Sequence, residues 1–426
     1  MKIRKFVYLL LVALVLRLVF AFFPEQIHTD LRNSIDWGTR FWEYGPKIYY
    51  QANVWSFDWP NQPPGTVILY AAIRKVYEAV FAFFWFINIK VPAFPSNLMF
   101  FFERNLINYV AKLPSIISDF GIAFLIFKFV KEQFGEKKAQ IAAVFFLFNP
   151  VIWYNSAIWG QYDSVNNFFV LLSFYLLMRK KLASAGIAFL VSIYVKMSLL
   201  IFTPIFFIVA IRQKYKLSEY IKAISFNLLV FLLIFIPFSD KNVFVWVYEL
   251  YSTRVSVDQL QLITANSFNL WVAVAGIHRL SHDILLGPLS YKLWGIILFT
   301  LGYIPAVILV IKSQTVKSVL WSLSIIAISS FMLLTNMHER YLYPFFAVFA
   351  VIAVSNRKMV VYYILFSMIN ILNLYNFWWV PRISPLMHFL SFSDRLMPRI
   401  LGMVSFIAYV YLYRDFARYL KSYLKK

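Results

Sequence analysis

The chain contains no cysteine, so disulfides and thiol chemistry are excluded and cysteine content says nothing about redox compartment. Charge is also scarce. Only 14% of residues are charged, against about 25% in a typical soluble domain, and the charge present is lopsided, with 41 Lys and Arg to 19 Asp and Glu. Nucleotide signatures are missing: there is no G-x-x-x-x-G-K and no G-x-G-x-x-G. HERYL at 338 to 342 carries leucine where a zincin needs its second histidine. These gaps argue against P-loop ATP hydrolysis and catalytic zinc. No internal repeat is visible, which weighs against an inverted-repeat transporter.

What the sequence has in excess is apolar surface. Hydrophobic residues make up 61% of the chain and aromatics 20%, with a mean hydropathy of +0.69, the composition of an all-α polytopic membrane protein. A hydrocarbon core roughly 30 Å thick needs about 20 apolar residues per crossing. Segments approaching that length fall at 6 to 23, 106 to 127, 139 to 158, 163 to 178, 183 to 195, 198 to 211, 221 to 238, 292 to 311, 318 to 335, 341 to 355, 359 to 377 and 399 to 413. They predict about twelve crossings in a single integral membrane domain spanning 1–426. The first segment looks like a signal peptide, but no small-residue cleavage site follows and Arg17 sits inside it, so a retained helix is expected.

The net charge of +22 reads as a topology signal rather than a nucleic-acid surface. MKIRK, KEQFGEKK, RKK, RQKYK, Lys312 with Lys317, NRK and the C-terminal tail all fall on one side of the predicted bundle. The positive-inside rule makes that side, and both termini, cytoplasmic. Among the acids only Glu132, Glu136, Glu219 and Asp415 join them, and Asp119 lies within the membrane. The remaining acids and all 5 histidines fall outside or at the outer boundary, so acid–base chemistry is expected there. Two long outer loops follow, 24–105 and 239–291. Within the first, residues 66 to 87 are long enough to span but are interrupted by Arg74, Lys75 and Glu78, which predicts a helix lying on the outer leaflet. Residues 183 to 211 predict a tight, partly re-entrant hairpin with Lys196 at its turn.

Five short constellations gather on the outer side. HTDLRNSIDW carries Asp30 and Asp36, and WPNQPPG at 59 to 65 makes a rigid turn through its paired prolines. KLPSIISD places Lys112 and Asp119 seven residues apart on one helix face, a spacing that fits an intramembrane polar contact turned toward the bundle. NPVIWYNSAIWGQYDSV contains Gln161 and Asp163, and TNMHERYLYP contains His338, Glu339 and Arg340. Each has a plainer reading. Asp36 could be a solvated acid or a helix cap, Asp163 could cap the helix that follows, and Trp37, Trp55, Trp153 and Trp159 fit an aromatic belt. Three adjacent ionisable groups between apolar helices are harder to explain structurally and favour function.

Together with YVKMSLLIFTP around Lys196 and ANSFNLW around Asn269, these motifs resemble the prokaryotic mannosyltransferases related to the GPI-anchor second mannosyltransferase, and the lumenal glucosyltransferases of N-glycan assembly. The resemblance implies a GT-C-type bundle that transfers a hexose, mannose favoured, with inversion. The donor would be a polyprenyl-phosphate sugar and the acceptor a lipid-linked molecule or glycan on the outer face, with no metal and no cofactor. It implies Asp30, seven residues before Trp37, as catalytic base in preference to Asp36, and places His338, Glu339 and Arg340 near the donor phosphate. The chemistry of such a donor agrees, since the phosphate is already a leaving group: one carboxylate must take the acceptor proton, and cations such as Arg340, His338 and Lys196 must hold the departing phosphate. Trp37, Lys112, Asp119, Gln161, Asp163, Asn269 and Glu339 are expected to support these groups. A multi-pass transporter or lipid flippase is the competing expectation, against which stand the long outer loops and the one-sided acids. Expected partners are the donor, the acceptor and membrane lipids, and no nucleic acid.

Overall fold

The computed structural model describes residues 3–22, 27–255 and 260–424. The first two and last two residues, at which the topology reading puts part of its cytoplasmic charge, lie outside that set. Nearly everything described is helical. The only strands among the described residues are β1 (Leu285–Leu286) and β2 (Leu289–Ser290), a small antiparallel hairpin in the second long loop.

Among the described residues, seven helices are long and apolar enough to cross a membrane. They are α1 (Ile3–Phe22), α4 (Asn97–Phe134), α10 (Leu217–Phe235, prolonged by a 3-10 turn to Phe238), α13 (Tyr291–Lys312), α14 (Val316–Leu333), α16 (Arg357–Phe377) and α17 (Ser384–Leu424). An eighth span results if α5 (Glu136–Leu147) and α6 (Pro150–Trp153, continued by a π-helical turn to Trp159) count as one unit bent by 46°. Four expected crossings are shorter than the roughly 20 residues a straight span needs: α7 (Asp163–Met178), α8 (Leu182–Val195), a 3-10 segment running into α9 (Thr203–Arg212), and α15 (Tyr343–Ala353). A helical segment therefore stands at every expected position, and these four have about the short bounds read from the sequence, less than a straight span. The reason is local. These short helices begin or end at polar residues buried in the protein: Asp163 opens α7, Lys196 follows α8, and Glu339 lies just ahead of α15. The 183–211 stretch breaks at Lys196, which is extended between α8 and the 3-10 turn, and α9 packs chiefly on α13 rather than on α8.

The first long loop is mostly helix. It contains α2 (Thr29–Tyr44), a 3-10 turn at Tyr49–Gln51, α3 (Pro64–Lys90) and the start of α4. Proline at the first position of α3 suits a helix start, because that N–H would lack an intrahelical partner. α3 is not among the helices apolar enough to cross. Its three interrupting charges pair with each other, Arg74 to Glu78 at 2.9 Å and Lys75 to Glu78 at 2.8 Å. α2 lies directly on α3: a Cβ on Gly38 would come within 2.3 Å of the Tyr70 carbonyl carbon, so only glycine allows this approach.

α15 runs through the interior of the bundle with all its residues buried, and α4, α5, α7, α14 and α16 pack around it. Shorter helices follow the second apolar stretch, α11 (Val243–Glu249) and α12 (Leu270–Ala275). α17 is broken at Phe392–Arg395, where Ser393, Asp394 and Arg395 take positive φ.

Candidate functional site

The turn between α14 and α15 is shaped by asparagines. Asn336 takes φ +60, and His338 bridges the backbone of Ala265 and Asn266, with Ala265 donating its N–H to the Met337 carbonyl at 3.1 Å. Asn370 of α16 donates to the Glu339 carbonyl at 2.8 Å. Pinned on both sides, the turn presents Arg340 to the start of α2, where its Nη2 lies 3.5 Å from Asp30 Oδ2.

Asp30 sits in the first turn of α2, an end at which the helix dipole favours a carboxylate. His28 caps this helix, its Nδ1 accepting from the Asp30 N–H at 3.1 Å while its ring packs on Trp159 at 4.4 Å. Gln161 donates its side-chain amide to Asp30 Oδ2. Gln161 is itself presented by an unusual backbone: the π turn ends at Gly160 (φ +84), and both Gly160 and Gln161 donate N–H to the Asn155 carbonyl at 3.0 Å. A side chain on Gly160 would also meet Leu31 at 2.8 Å and Lys112 at 3.2 Å. The Asp30 side chain keeps 35% of its surface exposed, so its carboxylate can be reached.

Lys196 approaches from the end of α8. It pairs with Asp163 of α7, and its ammonium lies 5.2 Å from the Tyr162 ring and 5.5 Å from the Tyr341 ring. Asp30, Lys196, His338 and Arg340 all line one cleft of about 290 Å³ that also includes Gln161 and Trp37. Asp163 lines a recess of about 110 Å³ that continues from Arg340 between the 3-10 segment and the end of α14.

The titrations follow from this geometry. Burial pushes the Asp30 carboxyl up, but Arg340 foremost, then the two histidines and Lys196, outweigh it and leave its pKa below the usual value. Burial, with Arg340 and Lys196 nearby, holds His338 down to about 3. Burial likewise brings His28 down to about 4 against the pull of Asp30. Both histidines are neutral near pH 7, so His338 offers hydrogen bonding rather than charge, and the positive potential comes from Arg340 and Lys196. Glu339, fully buried, is pushed up to about 7 by burial, with Arg340 at 2.9 Å opposing.

The other expected residues sit elsewhere. Asp36 faces the 52–58 loop, accepting from the Ser56 hydroxyl at 2.7 Å and the Ser56 N–H at 3.0 Å, with Arg40 at 3.5 Å. It does not line the cleft. Lys112 and Asp119 are both buried toward the bundle, as their spacing predicts, but have different partners. Lys112 donates to the Ala21 carbonyl at 3.2 Å. Asp119 pairs with Arg17 at 2.9 Å and accepts from Ser156 and Ser164 at 2.6 Å and Tyr343 at 2.9 Å. That carboxylate thus ties α1 and α4 to the π turn, to α7 beside Asp163, and to α15 just after Arg340. Asn269 caps α12 and donates to the Phe331 carbonyl at 2.9 Å, outside the cleft.

Cleft residues that sequence reading passed over are His28's neighbours on α2, Asn33 and Ser34, and the loop residues Asp58, Asn61 and Gln62. Asn61 and Gln62 belong to the WPNQPPG stretch, noticed for its prolines. Fold and site together define an all-α polytopic membrane protein with a polar, ionisable cleft at the α2 end of its bundle. No protein-family model matches the chain, and no curated protein matches its sequence.

Proposed function

We propose that the chain is an inverting glycosyltransferase of GT-C type, moving a hexose from a polyprenyl-phosphate donor to an acceptor hydroxyl on the extracytoplasmic face. The observation that carries this reading is the meeting of Asp30 with Arg340, Lys196 and His338 in one cleft. Asp30 takes the acceptor proton as the acceptor oxygen bonds to the anomeric carbon, and the carbon–oxygen bond to phosphate breaks on the opposite side. Arg340 and Lys196 receive the departing prenyl phosphate. Asp163 keeps Lys196 charged and aimed, Gln161 fixes the base, and the neutral His338 donates or accepts one hydrogen bond.

The prenyl chain would lie in the nearly all-apolar trough of about 400 Å³ between α8, α9 and α10. That trough shares the 3-10 segment after Lys196 with the recess below Arg340. Twelve helical passages, with the basic loops and both termini in the cytoplasm, complete the reading, and the α3 helix rests on the outer leaflet. Mannose is the favoured sugar by resemblance.

The test is turnover of a prenyl-phosphate hexose by purified protein. Asp30→Asn keeps the shape and removes the basic oxygen, so transfer should fall by about 10² to 10⁴-fold with donor affinity little changed. Near-normal turnover in Asp30→Asn with loss in Asp36→Asn would move the base to Asp36. Movement of prenyl-phosphate lipid across proteoliposomes without transfer would replace the reading with a flippase.

A further inference from the structure

The lining of the cleft is chemically mixed. Beside its cations it includes neutral amides and a second carboxylate that form a wall of their own in the chain: Asn33 on α2, then Asp58, Asn61 and Gln62 on the loop before α3, with Gln62 also lining an adjoining cavity with Lys196. This wall is held in place. Asp36 binds Ser56, Trp37 donates from its ring nitrogen to the Asp58 carbonyl at 2.8 Å, and Tyr50 donates to the Gln62 carbonyl at 2.8 Å. The bonds from Trp37 and Tyr50 use the backbone carbonyls of Asp58 and Gln62, and so do not engage the side chains of these cleft-lining residues.

Those side chains retain unused hydrogen-bonding capacity. Asp58 Oδ1 accepts only from the adjacent Trp59 N–H, and Oδ2 has no protein partner among the described residues. Gln62 donates to Asn61 Oδ1 at 3.2 Å, and among the described residues the Asn61 amide protons and the Gln62 side-chain oxygen Oε1 have no hydrogen-bond partner. A sugar ring presents hydroxyls that each donate and accept, and planar amides beside a carboxylate match adjacent hydroxyl pairs. A phosphate would meet the Asp58 charge and is disfavoured here, as it is favoured beside Arg340 and Lys196.

We propose that Asn33, Asp58, Asn61 and Gln62 form a binding subsite for the neutral sugar ring of the acceptor. This rests on the transferase reading and narrows it: the acceptor is a glycan, and the two aspartates of the opening motif divide the work. Asp30 acts on the acceptor hydroxyl. Asp36 is a positioning residue, holding through Ser56 the loop that displays Asp58.

The experiment measures binding without turnover. Saturation-transfer NMR is run on the full chain in lipid nanodiscs with mannobiose, maltose and glucosamine, and binding of a farnesyl methyl phosphodiester is followed in parallel. A neutral disaccharide should bind the wild type. Asp58→Ala should weaken it by about 10- to 100-fold, the loss of one charged hydrogen-bond partner, and Asn61→Ala by less. Phosphodiester affinity should stay unchanged in both, which certifies folding. Asp36→Asn should weaken sugar binding in the same direction, and Asp30→Asn should leave it nearly intact. Equal sugar binding by wild type and Asp58→Ala, no sugar binding by the wild type, or preference for the cationic glucosamine would each overturn the subsite. Sugar binding that behaves as described in a protein lacking any transfer activity would instead retire the transferase reading and leave the subsite standing.

Discussion

If Arg340 holds a phosphate, donor affinity must depend on the charge of Glu339. The two side chains touch at 2.9 Å, and the other acid close to Glu339 is Asp30. Burial pushes the Glu339 pKa up to about 7, so the group is mostly neutral at pH 6 and mostly ionised at pH 8. Its ionised form sits across the guanidinium from the bound phosphate. With one charge on each and a separation of about 7 Å, an effective dielectric near 20 gives a repulsion of about 2 kcal/mol, roughly a 30- to 50-fold loss of affinity. The sign is fixed: raised pKa means proton-bound below about 7, and phosphate affinity is highest there and falls as pH rises. The assay is titration calorimetry with a farnesyl methyl phosphodiester, whose single charge is constant over this range, between pH 5.5 and 8.5. Glu339→Gln should bind as tightly at pH 8.5 as the wild type does at pH 5.5, with no slope. A flat wild-type profile, or the same slope in Glu339→Gln, would refute the reasoning, and the second outcome would point to loss of the Lys196 proton.

Three further outcomes follow from the packing. Removing one member of the buried Arg17–Asp119 pair, by Arg17→Met or Asp119→Asn, should cost about 3–5 kcal/mol, whereas Arg17→Met with Asp119→Leu should recover much of that; thermal unfolding in detergent tests the order of the three. Gly160→Ala should lower both thermal stability and turnover, because it strains a positive φ and crowds Leu31 and Lys112, and equal melting of variant and wild type would contradict this. Lys196→Met should weaken phosphodiester binding by about 10-fold or more, and Asp163→Asn should weaken it in the same direction, since it removes the partner that keeps Lys196 charged and aimed.

Much of this was readable from the chain because apolar length and one-sided charge are local properties. The helix positions and the break at Lys196 came from that level, while the expected meeting of Asp30 with His338 and Arg340 came from the family resemblance. The short bounds of α7, α8 and α15 were legible too, but not their cause, which is the pairing of buried polar residues such as Asp163, Lys196 and Glu339 with partners from distant segments. The Lys112–Asp119 spacing gave the right face but could not reveal Arg17, 102 residues earlier. The family resemblance preferred Asp30 to Asp36, and the fold supplies the physical difference: Asp36 anchors Ser56, whereas Asp30 stays reachable. Asn61 and Gln62 were noticed only as part of the proline turn and Asp58 not at all: they become a set only when Trp37, Tyr50 and Asp36 hold the loop at the cleft.

Arg17 also bears on how the chain is made. Its guanidinium is satisfied by Asp119 in α4 and by the Leu147 carbonyl at the end of α5, both synthesised later. At about 5–20 residues per second the ribosome needs roughly 5–20 s to reach Asp119. Throughout that interval α1 carries an unpaired arginine whose insertion costs about 2.5–3.5 kcal/mol near the bilayer centre. The first helix is thus an incomplete membrane segment until the second arrives. Nascent chains arrested before Asp119 should leave α1 more readily extracted by alkali than chains arrested after Leu147, and the Arg17→Leu chain should lose that difference. The order of insertion is therefore built into a single side chain: α1 is written first but settles in the membrane together with α4.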